Sequence, residues 1–308
     1  MSPAPRSTSR LFSFSGLFAC LAASALASGD PARPLLAAPP GFEEQVAELV
    51  NRERVGCSAR GCPLPPLKLV GVLSGVARAH SRSMAELDYF SHCDRATRRD
   101  PFERLLAAGY SYRAAAENIA GGGDSPAAAM AQWMASRPHR ANILASDFRE
   151  LGVGYFLQTG DAANVDWDAN GDCDCADRGE SCRGPALTDY WTELFGRRDS
   201  HYPLVIAGER PTAPSASVEL YLYAPARAGS MRLRNDGGSW SPWQAYSPST
   251  VWRLGDGDGL RTVFSEVSAD GMIHRACDTI QRTGSGFRAA ALESVVCDVD
   301  GTFREAAP

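Results

Sequence analysis

The chain has 308 residues, enough for two domains of ordinary size, and its 44% hydrophobic and 22% charged residues are the balance of a globular protein. A formal net charge of −5 and an isoelectric point near 5.6 exclude the basic face that a nucleic-acid surface needs. Lys68 is the only lysine, so nearly all the positive charge is arginine, as a GC-rich genome produces.

Arg6 and Arg10 precede an apolar stretch from Leu11 to Ala23, and Ala25-Leu26-Ala27 offers a cleavage site, so residues 1–27 read as an export signal. Leu17-Phe18-Ala19-Cys20 faintly resembles a lipoprotein box, but the apolar run continues past Cys20 and favours cleavage near Ala27 over a lipid anchor. No later segment approaches the ~18 uninterrupted apolar residues of a membrane-spanning helix. The expected location is therefore secreted, or periplasmic in the cell envelope. Residues 28–40, rich in proline and alanine, read as a flexible leader.

Helical spacing begins at Phe42, with Val46, Leu49 and Val50 on one face and Glu43, Glu44 and Arg52 outside. A second helix lines up Leu73, Ala77, His80, Met84 and Leu87 and ends before Phe90. Asp100-Pro101-Phe102-Glu103 combines an N-cap, a proline at the first position and a glutamate three residues on. Ser125-Pro126 opens another helix, carrying Met130, Trp133 and Met134 and stopping near Pro138. Leu151 to Leu157 and Tyr190 to Phe195 read as strands.

From about His201 the pattern changes to period two, in Val218 to Tyr223, Met231 to Leu233 and Val263 to Val267. Turn signals separate these runs at Asn235-Asp236-Gly237-Gly238, Gly255 to Gly259 and Asp270-Gly271. Short strands at such intervals predict a β-sandwich over residues 202–305. The run from Trp240 through Trp243 and Trp252 to Gly271 loosely resembles bacterial fibronectin-type or immunoglobulin-like modules. The Trp240, Trp243 and Trp252 rings are expected to pack or to add to a binding face, and Trp133 to pack. His201 and His274 have no partners at metal-ligand spacing.

Eight cysteines remain once Cys20 leaves with the signal, and in an exported chain they read as four disulfides. Cys57 and Cys62 bracket a short loop and are expected to pair, as are Cys277 and Cys297, alone in the C-terminal region. Cys93 then joins Cys173 or Cys175, and the remaining one bridges to Cys182, because a Cys173–Cys175 bond would close a strained ring. A structural zinc on Cys173, Cys175 and Cys182 is a lesser alternative in an oxidising compartment.

Between His80 and Phe156 stand His80-Ser-Arg-Ser-Met through Tyr89-Phe90-Ser91-His92, then Glu117-Asn118-Ile119-Ala120, then Trp133 through Pro138-His139-Arg140-Ala141-Asn142-Ile143-Leu144, then Leu151-Gly152-Val153-Gly154. The order and wording of these segments resemble the CAP superfamily of cysteine-rich secretory proteins, antigen 5 and pathogenesis-related proteins, in its bacterial secreted branch. The resemblance implies an α+β fold: a three-layer α-β-α sandwich over 41–198, interrupted by an acidic, cysteine-rich insertion at 161–184, followed by the all-β domain. In that family a histidine and a glutamate matching His92 and Glu117 lie in a central cleft. They belong to a group of two His and two Glu that holds a divalent metal in some members, and imidazole with carboxylate suits zinc. This sequence departs at the other two positions, with Trp133-Met134-Ala135-Ser136 for W-x-x-E and Tyr190-Trp191-Thr192-Glu193 for H-Y-T-Q. His139 is a candidate replacement ligand; its alternative is a helix-end histidine bonded to carbonyls. For His92 and Glu117 the alternatives are a polar anchor bonded to Glu117 and a structural carboxylate. His80, on an apolar stripe, reads as a core histidine, and Arg140 as a solvated arginine, a partner of Glu150 or a contact for an anion.

A second pattern is Asp166-x-Asp168-x-Asn170-Gly171-Asp172-x-Asp174, with Asp177 twelfth. Oxygen ligands at alternate positions around a glycine match a calcium loop, with aspartate in place of the usual final glutamate. The alternative is an acidic, solvated insertion. No G-x-S-x-G, H-E-x-x-H or phosphate-binding glycine loop is present, although His92 with Glu117 could activate a water or Ser91. The expected function is an extracellular binding module for a lipid, peptide or cell-surface ligand. The alternatives are a metal-assisted, peptidase-like hydrolase using the same cleft, and an envelope or adhesion protein binding through the β-sandwich.

Overall fold

The computed structural model describes residues 35–36, 41–58, 61–167 and 184–284, with residues 297, 301 and 303. In the N-terminal region β1 (Leu35–Leu36) precedes α1 (Phe42–Gly56), β2 (Lys68–Leu69), α2 (Gly71–Glu86) and β3 (Tyr89–Phe90). There follow α3 (Pro101–Ala107), β4 (Ala114–Gly121), α4 (Pro126–Ala135), α5 (Arg137–Ile143), β5 (Glu150–Gln158), β6 (Asp166–Trp167) and β7 (Asp189–Arg197). The central sheet runs β1-β5-β7-β4, antiparallel throughout, with β2 added parallel to β5, so β4 is an edge strand.

Alternation along β5 and β7 gives the sheet two buried faces, the condition for a three-layer sandwich. Leu151, Val153, Tyr155, Trp191 and Phe195 pack against Val46 and Val50 of α1, Trp133 of α4 and Ile143 of α5. On the other face Leu194 joins Leu73 and Ala77 of α2 and Leu105 of α3. The three-layer α+β expectation holds.

Asp100 caps α3 in a complete capping box with Glu103, as its sequence predicts, and Ser125 caps α4 through the Ala128 N–H. Two local readings need correction. The helix opened by Pro126 ends at Ala135, and Pro138 sits in the first turn of a separate helix, α5, where a missing N–H costs nothing. Leu87 caps α2 and is 43% exposed, so it leaves the apolar stripe that Leu73, Ala77, His80 and Met84 form. The Glu117 segment, which carries no alternation of its own, is strand β4.

The remaining strands are β8 (Leu204–Ile206), β9 (Thr212–Ala213), β10 (Ser217–Leu222), β11 (Ala228–Asn235), β12 (Gln244–Ala245), β13 (Ser249–Arg253), β14 (Gly259–Ala269) and β15 (Met272–Arg282). They form sheets ordered β13-β10-β8 and β12-β11-β14-β15-β9 around a core that includes Leu220, Leu233, Val263 and Ile280. Asp270 and Gly271, both at positive φ, turn the β14–β15 hairpin. Arg232 lies against the Trp240 and Trp243 rings and Arg234 against Trp240 and Phe264, while Trp252 donates to Asn235. The Trp240 and Trp252 rings are half-buried and Trp243 is 42% exposed.

The two regions meet at a polar joint. Lys68 bridges Glu209 and Asp278, with all three side chains buried, and Asn51 donates to the Gly208 carbonyl at 3.1 Å. Tyr223 Oη donates to the Pro66 carbonyl, and Arg149 packs over the Tyr202 and Tyr223 rings. Arg198 and His201 both bind Glu150, together with Tyr110 Oη. Glu150 is thus engaged away from Arg140, which is exposed, so that of its three readings the solvated one fits. Cys57 pairs with Cys62 and Cys277 with Cys297, as expected, and Cys93 is disulfide-bonded. The expected bonds of Cys173, Cys175 and Cys182 and the export signal lie outside the described residues.

Candidate functional site

Because β4 is an edge strand, groups from both layers reach round it. Glu117 and Asn118 are successive residues and point to opposite faces. Glu117 turns toward α2 and α3, while Asn118, paired in register with Glu193, turns toward α5.

His92 comes from the loop after β3, and that loop is fixed from below. His80, wholly buried, bonds the Ser91 carbonyl through Nε2 at 2.8 Å, and Ser91 Oγ accepts the Cys93 N–H. Asp94 accepts both the N–H and the hydroxyl of Thr97. Burial would raise the Asp94 carboxyl, but His80 and the Thr97 donors hold it well below the usual range. Burial, with the Arg104 charge second, lowers the His80 imidazole, as befits the core histidine expected from its position.

His92 Nδ1 donates to Glu117 Oε1 at 2.9 Å, and Arg104 donates to Glu117 Oε2 at 2.7 Å and to the His92 carbonyl at 3.0 Å. Burial alone would raise the Glu117 carboxyl, but Arg104, then His80 and His92, hold it down at about 2. His139, on α5, is pushed down to about 4 by burial and by the nearby charge of His92, so its imidazole is neutral at physiological pH. The α5 backbone is tied to the strand beside it: Asn118 Nδ2 donates to the His139 carbonyl, and Asn142 Nδ2 to Asn118 Oδ1. The structure thus brings His92 and Glu117 into direct contact and His139 within electrostatic reach of His92.

Arg104 escaped the sequence reading because no motif contains it. Its signal was periodicity: it shares the inner stripe of α3 with Pro101 and Leu105, and a charge in such a stripe demands a buried partner. Glu193 was noted only as a departure from the family pattern. It faces the α1/α4/α5 layer, fully buried, with one oxygen bonded to Asn118 Nδ2 at 2.9 Å and, among the described residues, no donor for the other.

Burial pushes the Glu193 carboxyl up to about 8, with Asn118 opposing weakly. In the unfolded chain it ionises near 4.5, so the folded state binds the extra proton between those values and loses stability as pH rises through that window. Glu193→Gln keeps the shape without that loss. The variant is expected to match the wild type near pH 4 and to exceed it by about 3 kcal/mol near pH 7, checked by denaturant unfolding at several pH values.

The profile of the cysteine-rich secretory protein family, CAP, matches residues 47–165. Over 114 residues the chain is 41% identical to the uncharacterized protein YkwD of Bacillus subtilis (strain 168), covering 37% of this chain and 42% of that one. This chain carries a CAP domain. The uncharacterized membrane protein YlbC of the same organism is 34% identical over 114 residues, covering 36% of this chain and 31% of that protein. The chain therefore spans less than half the length of these curated relatives. An extracellular SCP-domain protein from Bacillus anthracis str. Ames superposes with a TM-score of 0.37 and 26% identity, over 51% of this chain and 41% of its own.

The zinc expected in the CAP cleft finds no seat in this arrangement. Both oxygens of Glu117 accept charge-assisted bonds, and a guanidinium stands 2.7 Å from one of them. Among the described residues no three His, Cys, Asp or Glu side chains are grouped to hold a metal. Asp166 is the one calcium-loop candidate described, and its carboxylate pairs with Arg95 at 2.6 Å; Asp168, Asn170, Asp172, Asp174 and Asp177 lie outside the described residues. The stem of that insertion is closed by hydrogen bonds from Leu187 N to Asp161 and from Gly184 N to the Val165 carbonyl. A separate cleft of about 860 Å³ opens between α1 and the sandwich, lined by Arg52, Val55, Pro65, Tyr221 and Val251, and contains none of the candidate residues.

Proposed function

We propose that this protein is an exported binding module whose CAP cleft, around His92, Glu117 and His139, holds an extracellular lipid, peptide or cell-surface ligand. The observation that carries this reading is the full engagement of Glu117. A carboxylate held near pH 2 and bonded at both oxygens is a poor general base, which weakens the hydrolase alternative. What the cleft offers is a fixed imidazole on His92 and a neutral one on His139, a preorganised pair of polar contacts of the kind that orients a ligand. Export fits the N-terminal sequence pattern, and no helix among the described residues is long and apolar enough to cross a membrane. Native mass spectrometry of the purified protein, mixed with a bacterial lipid extract or with a tryptic peptide library, tests the reading. Retained ligand that His92→Ala releases supports it. Cleavage of a quenched fluorescent peptide library that the same substitution abolishes would replace it with the hydrolase, and ligand retained only through the sandwich would replace it with the adhesion protein.

The acidic run from Asp166 to Asp177 we assign to calcium. Calcium at about a hundredfold over its dissociation constant should raise stability by about 2.7 kcal/mol, while magnesium, with its stricter octahedral demand, should do much less. Asp168→Ala should remove the calcium effect. Identical melting curves in calcium and in chelator would leave a solvated insertion.

A further inference from the structure

We propose that Arg104 is the built-in cation of the CAP cleft: a positioning residue that neutralises Glu117, fixes the His92 ring, and keeps divalent metal out. One guanidinium nitrogen, Nη2, donates both to Glu117 Oε2 at 2.7 Å and to the His92 carbonyl at 3.0 Å. It thereby ties α3, β4 and the His92 loop together at one atom. The Arg104 and Glu117 side chains are 8% and 1% exposed, so the pair is screened from water and strong.

The consequence for His92 follows from donor and acceptor chemistry. An ionised carboxylate only accepts, so the hydrogen on the 2.9 Å bond to Glu117 belongs to His92 Nδ1. Whenever the ring is neutral, its lone pair is therefore on Nε2. Arg104 sets this by holding Glu117 Oε2, which leaves Oε1 turned toward the loop. The same cation opposes a second one. A metal would have to draw a Glu117 oxygen away from an existing charge-assisted bond while standing beside a fixed guanidinium. The inference concerns how the cleft is held, and it stands whether the cleft binds its ligand or turns it over.

The full-length mature protein, its Arg104→Gln, Arg104→Lys and Glu117→Gln variants, and the Arg104→Gln/His92→Ala double variant should be titrated with zinc chloride in a calorimeter. The neutral His92 tautomer should be read from its ring nitrogen shifts by NMR. Wild type and Arg104→Lys are expected to show no saturable zinc site that involves His92. Arg104→Gln should gain one, at least about tenfold tighter, and lose it again with His92→Ala. A merely structural arginine would lower the melting temperature on removal without creating a metal site. Glu117→Gln should mix the His92 tautomers that wild type keeps single, and this arm decides the matter if Arg104→Gln does not fold. Zinc bound to wild type through His92, no zinc gained by folded Arg104→Gln, or an unmixed tautomer in Glu117→Gln would each overturn the proposal.

Discussion

Lys68→Met is expected to lower the unfolding free energy by about 3–5 kcal/mol, because it leaves two buried carboxylates facing each other with no cation. Lys68 Nζ bonds Glu209 and Asp278, and the three side chains are only 4–9% exposed. Burial opposes its charge, but Asp278 and Glu209 overcome this and raise the ammonium above its ordinary value. One positive charge serves two acids, and burial with the Asp278 charge pushes the Glu209 carboxyl up from its ordinary value. Asp278 also accepts the N–H groups of Ile206 and Thr279. We place the boundary between the regions near residues 198–202 and expect a fragment ending at Arg198 to fold. In that fragment Lys68 meets water instead of an unpaired acid, and Glu150 keeps Arg198 and Tyr110. Deleting the whole sandwich should therefore perturb the CAP domain less than Lys68→Met perturbs the full chain. Denaturant unfolding of both tests this, and an unchanged midpoint for Lys68→Met would mean the joint is wet and weak.

Gly154→Ala is expected to cost about 3 kcal/mol or more, the upper end of what overpacking does. A Cβ at Gly154 would stand 2.2 Å from the Ala77 carbonyl carbon and the Arg78 nitrogen, and one at Gly152 2.3 Å from Leu73. These are backbone atoms of α2 and cannot rotate aside, so β5 must lift off the helix. That lift would also strain the bonds from Ser81 to the Gly154 carbonyl and to Thr192. Gly75→Ala, in the same helix but with open space around it, is the control and should be neutral or stabilising by up to about 1 kcal/mol. Equal melting temperatures for the two variants would refute the close-approach account.

The helices of the CAP domain were legible because their burial follows period and cap: α1, α2 and α3 stand where apolar spacing and the Asp100 box put them. So were the glycine-marked strand β5 and the Asp270-Gly271 hairpin. β4 was not, because an edge strand that faces a different layer on each side has no simple alternation: Glu117 is held by Arg104 and Asn118 by Glu193. Half of the candidate site was readable as residue types, in His92, Glu117 and His139. Its electrostatics were not, since they depend on an arginine 13 residues before Glu117 that only folding brings beside it. Of the readings open for Arg140 its exposed position fits the solvated one, while Glu150 finds Arg198 and His201, some 50 residues away, across the end of the sheet.

Lys68 is the sole lysine in the chain and is 7% exposed. Apart from the chain's α-amino group, the folded protein therefore offers amine-reactive reagents a single ammonium, shielded by two acids at the seam between its two halves. Acylation of that nitrogen requires the seam to part and the proton to leave. The rate at which an N-hydroxysuccinimide ester marks Lys68 would then time the opening of that seam, on native protein and without any engineered label.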